Sequence, residues 1–185
     1  VVWSAASAGI PTLIQEQNAF PGVTNRILSR VVDVAAVGYP EAAPKFAGHK
    51  AHVVVTGNPV REDLLRETRE DSCRHFGLRP DSPVLLITGG SQGARSVNQA
   101  ALALHRHWAG KKEVQILHIT GQTDYNNIIH MLQAEGLPVH DGEAGRIVVP
   151  YLHEVPTALA AALLVVSRAG AIGLAELTLR GIPSI

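Results

Sequence analysis

The sequence predicts an α/β protein built from parallel βα units and divided into two halves. Short apolar runs alternate with helical patterns along the whole chain. Thr56-Gly-Asn-Pro-Val-Arg61 is a compact breaker, and the chain then stays polar and charged through Arg79, as at a crossing between domains. Unusual residues also gather where strands should end: Glu16-Gln-Asn18, Gly89-Gly-Ser91, Gly121-Gln122, Tyr151-Leu152 and Ser167-Arg-Ala-Gly170. Open α/β sheets hold ligands outside the carboxyl ends of their strands, so these loops are expected to line one cleft.

In the first half, residues 3–8 read as the end of a helix and 12–15 as a strand. Val23, Ile27, Leu28 and Val31 mark the inner face of a helix beginning near Gly22, and strands follow at 34–37 and 53–55. A helix is expected over 61–69. The second half begins with strand 84–88 and helix 94–108, whose apolar face is Val97, Ala101, Leu104 and Trp108. Strand 114–119, helix 124–135, strand 147–149, a short helix 156–161, strand 163–166, helix 171–180 and strand 182–185 complete it. Tyr125, Ile128, Ile129 and Leu132 recur at i, i+3, i+4 and i+7, which supports the middle helix. Because the chain opens on Val1 and stops inside the last expected strand, it reads as a fragment.

Composition narrows the classes of function. The 185 residues are 46% hydrophobic with a formal net charge of zero, which fits packed domains and gives no electrostatic case for nucleic acid. No apolar run is long enough to span a bilayer. Cys73 is the only cysteine and excludes an intrachain disulfide. The nine histidines are scattered, and His105 and His107 point to different helix faces, so no metal is expected.

The chemistry is carried by Val84-Leu-Leu-Ile-Thr-Gly-Gly-Ser-Gln-Gly-Ala-Arg-Ser-Val-Asn98, an apolar strand running into a glycine-rich loop that opens a helix. Gly89, Gly90, Gln92 and Gly93 form a phosphate loop in this reading, because unpaired backbone N–H groups and the helix dipole favour an anion there. The bland alternative is a tight strand-to-helix turn. The spacing is neither G-x-G-x-x-G nor a P-loop. Ser167-Arg-Ala-Gly-Ala-Ile-Gly-Leu-Ala-Glu176 repeats the theme, with helix amides from Ala171 onward able to hold a second part of the ligand. Glu176 suits a ribose diol or is a solvated helix glutamate. Arg61 is a candidate phosphate clamp or a surface arginine opening the 61–69 helix. Ser91 donates to a phosphate or caps the helix behind it; Asn18 contacts a ligand or closes an Asx turn. His118, inside a strand, reads as a satisfied sheet histidine. No Asp-x-Asp pair offers a metal–diphosphate clamp.

In order, Gln15-Glu-Gln-Asn-Ala-Phe-Pro-Gly-Val-Thr-Asn25, Gly57-Asn-Pro-Val-Arg61, Gly89-Gly-Ser-Gln-Gly-Ala94, Tyr151-Leu152 and Ser167-Arg-Ala-Gly-Ala171 with Ala175-Glu176 resemble the MurG family over essentially the whole chain. These are UDP-N-acetylglucosamine:N-acetylmuramyl-(pentapeptide)-pyrophosphoryl-undecaprenol N-acetylglucosaminyltransferases. The resemblance implies a GT-B fold of two Rossmann-like domains with parallel sheets, both incomplete here. Residues 1–56 would end the acceptor domain, 57–82 would be the interdomain linker and first helices, and 83–185 would begin the UDP-GlcNAc-binding domain. It implies an inverting transfer of GlcNAc from UDP-GlcNAc to the MurNAc 4-hydroxyl of lipid I, giving lipid II at the cytoplasmic face of the bacterial membrane. The protein would be peripheral there and need no cofactor. By the same resemblance Asn18 contacts the donor, Arg61 and Ser91 hold the diphosphate, and Leu152 reads the uracil edge through its backbone. Ala171, Ile172 and Gly173 cover the diphosphate and sugar, and Glu176 grips the ribose.

The sequence departs from the family at Gln15, where His is usual, and at Gly173, where Thr is common. The family's N-terminal glycine-rich loop, where the general base is expected, precedes residue 1, so the fragment alone is expected to be inactive. The competing readings are a UDP-GlcNAc 2-epimerase or other GT-B enzyme, and a non-catalytic nucleotide-sugar-binding remnant. A nicotinamide-dependent dehydrogenase is weakest, since the glycine spacing fails and no acidic residue ends strand 114–119.

Overall fold

A computed structural model describes residues 1–140 and 142–185, which form two compact units, Val1–Val60 and Arg61–Ile185. In the first, α1 (Val2–Ser7), β1 (Leu13–Glu16), α2 (Val23–Leu28), β2 (Val34–Val37) and β3 (His52–Val55) follow in sequence, with a 3₁₀ turn at Pro40–Phe46 before β3. The three strands form a parallel sheet in the order β1-β2-β3. Ile14, Val32, Ala35 and Ala51 pack together in one core cluster, and Val37, Ala42 and Phe46 in another. Phe46 is the buried anchor of the 3₁₀ turn, an element that the periodicity of 40–46 does not announce because two prolines interrupt it.

The second unit contains α3 (Arg69–His75), β4 (Val84–Thr88), α4 (Arg95–His107), β5 (Gln115–Ile119), α5 (Tyr125–Ala134), β6 (Arg146–Val149), α6 (Val155–Ala161), β7 (Leu164–Ser167) and α7 (Ala171–Arg180). Its sheet is parallel, in the order β6-β5-β4-β7. The chain lays β5 and β6 on one side of β4 and then returns to place β7 on the other. The β4/β7 boundary is therefore a topological switch point, where the loops that follow the two strands diverge and leave room for a ligand.

β4 shows why its run is continuously apolar. Val84 and Leu86 point into a core with Leu64, Cys73, Ala158 and Leu177, whereas Leu85 and Ile87 point to the opposite face, against Ala101 and Ile116. Both faces are covered, so alternation disappears. The expected α4 face of Val97, Ala101, Leu104 and Trp108 packs on that second side.

Two expected elements differ. The helix expected over 61–69 is a 3₁₀ turn at Glu62–Leu65 followed by α3 from Arg69. Thr68 restarts the chain as an N-cap, since its Oγ1 accepts from the Asp71 N–H at 3.2 Å. The expected strand 182–185 is a single parallel bridge, Val165 to Ser184, because Pro183 has no N–H with which to extend the ladder.

Residues 61–82 are built into the second unit. Leu64, Cys73 and Leu78 are buried in the core beneath β4. Arg69 donates to the carbonyls of Pro80, Ser82 and Ala161, tying α3 to the end of α6. Arg69→Ala leaves three carbonyls short of a charged donor, and a loss of about 2–3 kcal/mol is expected in urea unfolding. A loss within experimental error would mean that water replaces the guanidinium without cost.

Candidate functional site

The glycine-rich loop leaves β4 at Thr88 and enters α4 at Arg95. Gly90 N–H donates to Thr88 Oγ1 at 3.2 Å and Gly93 N–H to the Gly90 carbonyl at 2.9 Å, which folds the loop back over the strand end. Its glycines are required by contact. A Cβ on Gly93 would stand 2.3 Å from the Thr120 carbonyl oxygen, and one on Gly121 would stand 2.6 Å from both the Gln92 carbonyl oxygen and Gly93 Cα. Both residues also have positive φ, 75° and 82°. Two backbones, those after β4 and after β5, therefore touch with no side chain between them.

Helix α4 begins with Ala94 as N-cap and no side-chain cap; α7 likewise begins after Gly170 with none. The cap reading of Ser91 is thus overturned: extended Ala94 occupies the cap position, and Ser91 is an exposed residue of the loop. Uncapped first-turn amides at the ends of adjacent strands are the arrangement that anions seek.

Arg168 was given no role by sequence, yet its Nε donates to the Gly89 carbonyl at 2.8 Å. A Cβ on Gly90 would lie 3.4 Å from its Nη2, so the guanidinium lies against the loop. It follows β7 directly, and β7 pairs with β4, which is what sets it beside the loop.

On the α7 side, Glu176 is 8% exposed and Arg61 Nε lies 3.8 Å from its Oε1. Arg61 Nη1 also donates to the His153 carbonyl at 3.4 Å, one residue beyond Leu152, which packs on the core. The fold thus brings Arg61, the 152–153 turn and Glu176 together. Burial pushes the Glu176 carboxyl above its usual range, Arg61 draws it partly back, and Asp63 adds to the rise. Ala171, Ile172 and Gly173 form the first turn of α7; a Cβ on Gly173 would meet no atom within 4 Å, so the departure from Thr leaves open space and no packing defect.

In the first unit, the turn after β1 is organised by Glu16. Its buried carboxylate accepts from the N–H groups of Asn18 and Gly22 and from the side-chain amides of Asn18 and Asn25, at 2.9–3.1 Å. Burial alone would raise this carboxyl, but the four donors outweigh it and hold it below its ordinary value. Glu16, not an Asx turn at Asn18, closes the loop before Pro21. Asn18 is exposed, with its amide held at Glu16.

Behind the glycine contact lies a polar seam. Asn98 Nδ2 donates to the Thr120 carbonyl at 2.8 Å and to Asp124 Oδ2 at 2.9 Å. His118 Nε2 meets Asn98 Oδ1 at 3.1 Å, His105 Nε2 meets His118 Nδ1 at 3.2 Å, and Arg146 Nε donates to His105 Nδ1 at 3.0 Å. His118 is the satisfied sheet histidine that the sequence suggested. The signal for its partners was the i, i+7 spacing of Asn98 and His105 on α4. Burial, with the neighbouring His118 and Arg146, pushes His105 down to about 3, and burial pushes His118 down to about 4. Among the described residues no group of three or more His, Cys, Asp and Glu is placed to hold a metal ion.

Residues 84–185 match the model of the glycosyltransferase family 28 C-terminal domain. Over its whole length the chain is 44% identical to the UDP-N-acetylglucosamine–N-acetylmuramyl-(pentapeptide) pyrophosphoryl-undecaprenol N-acetylglucosamine transferase of Moorella thermoacetica, covering 49% of it. It is 45% identical to the protein of the same name from Desulforamulus reducens, again covering all of this chain and 49% of the relative. The chain therefore spans about half the length of these relatives. Among solved structures, Acinetobacter baumannii MurG superposes with a TM-score of 0.60 at 27% identity, over 99% of this chain and 47% of that one. S. aureus MnaA with UDP superposes at 0.59 and 12% identity, over 92% and 50%, a likeness of fold alone. The two parallel α/β units are of GT-B type.

Two titrations check these environments. In Arg61→Ala the Glu176 carboxyl should titrate higher than in the unaltered protein, read by carboxylate carbon shifts; an unchanged midpoint would show that the 3.8 Å pair is electrostatically idle. The histidine seam sets the sign of acid stability. Unfolded histidines bind protons as pH falls past about 6.5, whereas the native pair does not until about 4 and 3. The stability from the neutral pair is complete above that upper pH and is lost progressively as pH falls through about 4 and on to about 3. Urea midpoints should track this decline, and His118→Gln should flatten it; equal slopes would contradict the assignment.

Proposed function

Because the chain belongs to glycosyltransferase family 28, we propose that it supplies the donor-binding site of an inverting N-acetylglucosaminyltransferase that uses UDP-GlcNAc and lipid I to make lipid II. The observation that carries this reading is the bare-backbone contact between the Gly93 and Thr120–Gly121 loops, on the β5 side of β4, the strand whose other edge forms the switch point with β7. It leaves a side-chain-free floor beside an uncapped helix start, where a diphosphate can approach amide nitrogens closely.

In the proposed reaction the acceptor's 4-hydroxyl attacks the anomeric carbon from the side opposite UDP. The new C–O bond forms as the bond to the diphosphate oxygen breaks, and the electron pair leaves on UDP. Charge therefore grows on the diphosphate in the transition state, where preorganised donors lower the barrier most. The loop amides of Gly89–Gly93 other than those of Gly90 and Gly93, which donate within the loop, together with Ser91 and the first turn of α7 at Ala171–Gly173, are assigned to that charge. Arg168, lying against Gly89 and Gly90, adds a fixed cation beside the loop.

Glu176 is assigned to the ribose hydroxyls, as acceptor of two hydrogen bonds. Arg61 is half exposed, so on donor binding its guanidinium can leave the carboxylate for the phosphates. The 152–153 turn, beside Arg61, is assigned to the uracil edge, and Asn18 to the donor from the first unit. The hydroxyl proton goes to a base that we assign to no residue of this chain. A lipid-linked acceptor calls for a membrane surface, and the proposal assigns the reaction to the cytoplasmic face, with peripheral attachment. No helix among the described residues is long and apolar enough to cross one.

The test uses the complete gene product that carries this sequence. UDP release from UDP-GlcNAc should depend on added lipid I; release without acceptor would favour an epimerase instead. Glu176→Ala should weaken UDP binding about 10–100-fold, the worth of hydrogen bonds to a charged group. Gly93→Ala should weaken it about tenfold or more, because the loop must move off the Thr120 carbonyl. Unchanged affinity in both variants would remove the donor site from this unit.

A further inference from the structure

The polar seam inside the second unit is more than a set of tolerated buried residues, since its hydrogen bonds can run in one direction only. An arginine side chain donates and never accepts. Arg146 Nε therefore makes His105 Nδ1 an acceptor and leaves the proton on Nε2. That proton points to His118 Nδ1, which makes His118 the same tautomer and gives its Nε2–H to Asn98 Oδ1. Asn98 is then oriented with its amide hydrogens toward the Thr120 carbonyl and Asp124. All four links are buried: Arg146 is 4% exposed, His105 and His118 are 0%, and Asn98 is 1%.

The seam crosses the domain from the amino end of the sheet to its carboxyl end. It starts at the first residue of β6, passes the end of α4 and the next-to-last residue of β5, and finishes in the first turn of α4. Its last acceptor, Thr120 O, is the atom on which Gly93 rests. An apolar filling would hold sheet to helix at no desolvation cost. What it could not do is fix the position of a carbonyl oxygen.

We propose that Arg146, His105 and His118 are positioning residues of the donor site, acting through Asn98: their one-way hydrogen-bond chain fixes the Thr120 carbonyl and thereby the glycine-rich loop that receives the donor diphosphate. This rests on the donor-site reading above. The chain works as a unit, because each link polarises the next and each ring nitrogen has a single role, donor or acceptor. Adding a proton to either ring would set N–H against N–H and break it.

The experiment has two arms, both in the complete gene product. Nitrogen-15 spectra of the histidine rings should show His105 and His118 as neutral Nε2–H tautomers at pH 7, assigned with His118→Gln, and saturating UDP should shift both sets of signals. A Nδ1–H tautomer at either residue, or signals unmoved by bound UDP, would overturn the proposal. In the second arm, His118→Leu should lower UDP affinity about tenfold, the cost of leaving Asn98 Oδ1 buried without a donor. His118→Gln can donate to Asn98 and accept from His105, so it should recover most of that loss. Affinity within twofold of the unaltered protein in a folded His118→Leu, or no recovery in His118→Gln, would show a packing role only. If the unaltered protein fails to bind UDP while the tautomers are as assigned, the donor-site reading fails and the positioning role falls with it. If it binds UDP and the variants are indifferent, only the positioning role is lost.

Discussion

The structure of the second unit turns on one close approach, the seating of Gly93 on the carbonyl oxygen of Thr120. β4 and β5 are neighbours in register from Val84 with Gln115 to Thr88 with Ile119. The two chains leave the sheet together, and normally side chains would separate them. With glycine on both sides the separation falls to backbone contact, and a flat polar surface of amides and carbonyls results. The part of the diphosphate site proposed for the loop after β4 depends on that surface. The cost is backbone freedom at Gly93 and Gly121, which the unfolded chain exploits and the folded one gives up.

The second constraint is that a buried carboxylate sits near the same rim. Glu176 belongs to α7, Arg61 to the start of the unit, and the two are separated by most of the unit's sequence, yet lie 3.8 Å apart. Arg180, one turn beyond Glu176, donates to the carbonyls of Leu64 and Glu67. The turn that carries Arg61 is thus fastened to the helix that carries Glu176. A half-exposed ion pair contributes little to stability by itself. Its significance is that the partner of the carboxylate proposed to face the ribose is held by a separate set of hydrogen bonds.

Particular residues show what the sequence made legible. The run from Val84 to Ile87 identifies a strand covered on both faces, and the glycines after it identify the turn, because both signals are local. The α4 face of Val97, Ala101, Leu104 and Trp108 is equally local. Leu64 and Cys73 were not legible as core: Leu64 is one of two adjacent leucines between charged residues, Leu65 being exposed, Cys73 stands alone in a polar stretch, and only the tertiary fold brings them under β4. Arg168 escaped because its role depends on β7 pairing with β4, an adjacency that chain order does not reveal. Glu16 escaped for the opposite reason: four donors converge on it from the loop that follows it and the start of α2, but a strand-end glutamate carries no mark of that.

The family-wide match begins at Val84, whereas the folded body begins at Arg61. Recurrence in sequence and mechanical integrity thus mark different borders. A piece cut at Val84 would keep every glycine of the loop but lose Leu64, Cys73 and Leu78, which line the underside of β4 and of α6. It would also lose Arg69, which clamps the end of α6, and the carbonyls that hold Arg180. For dissecting or transplanting this module, the serviceable seam lies just ahead of Arg61, in the Gly57-Asn-Pro-Val60 segment. The twenty-odd residues that look like a tether are the underside of the domain they precede.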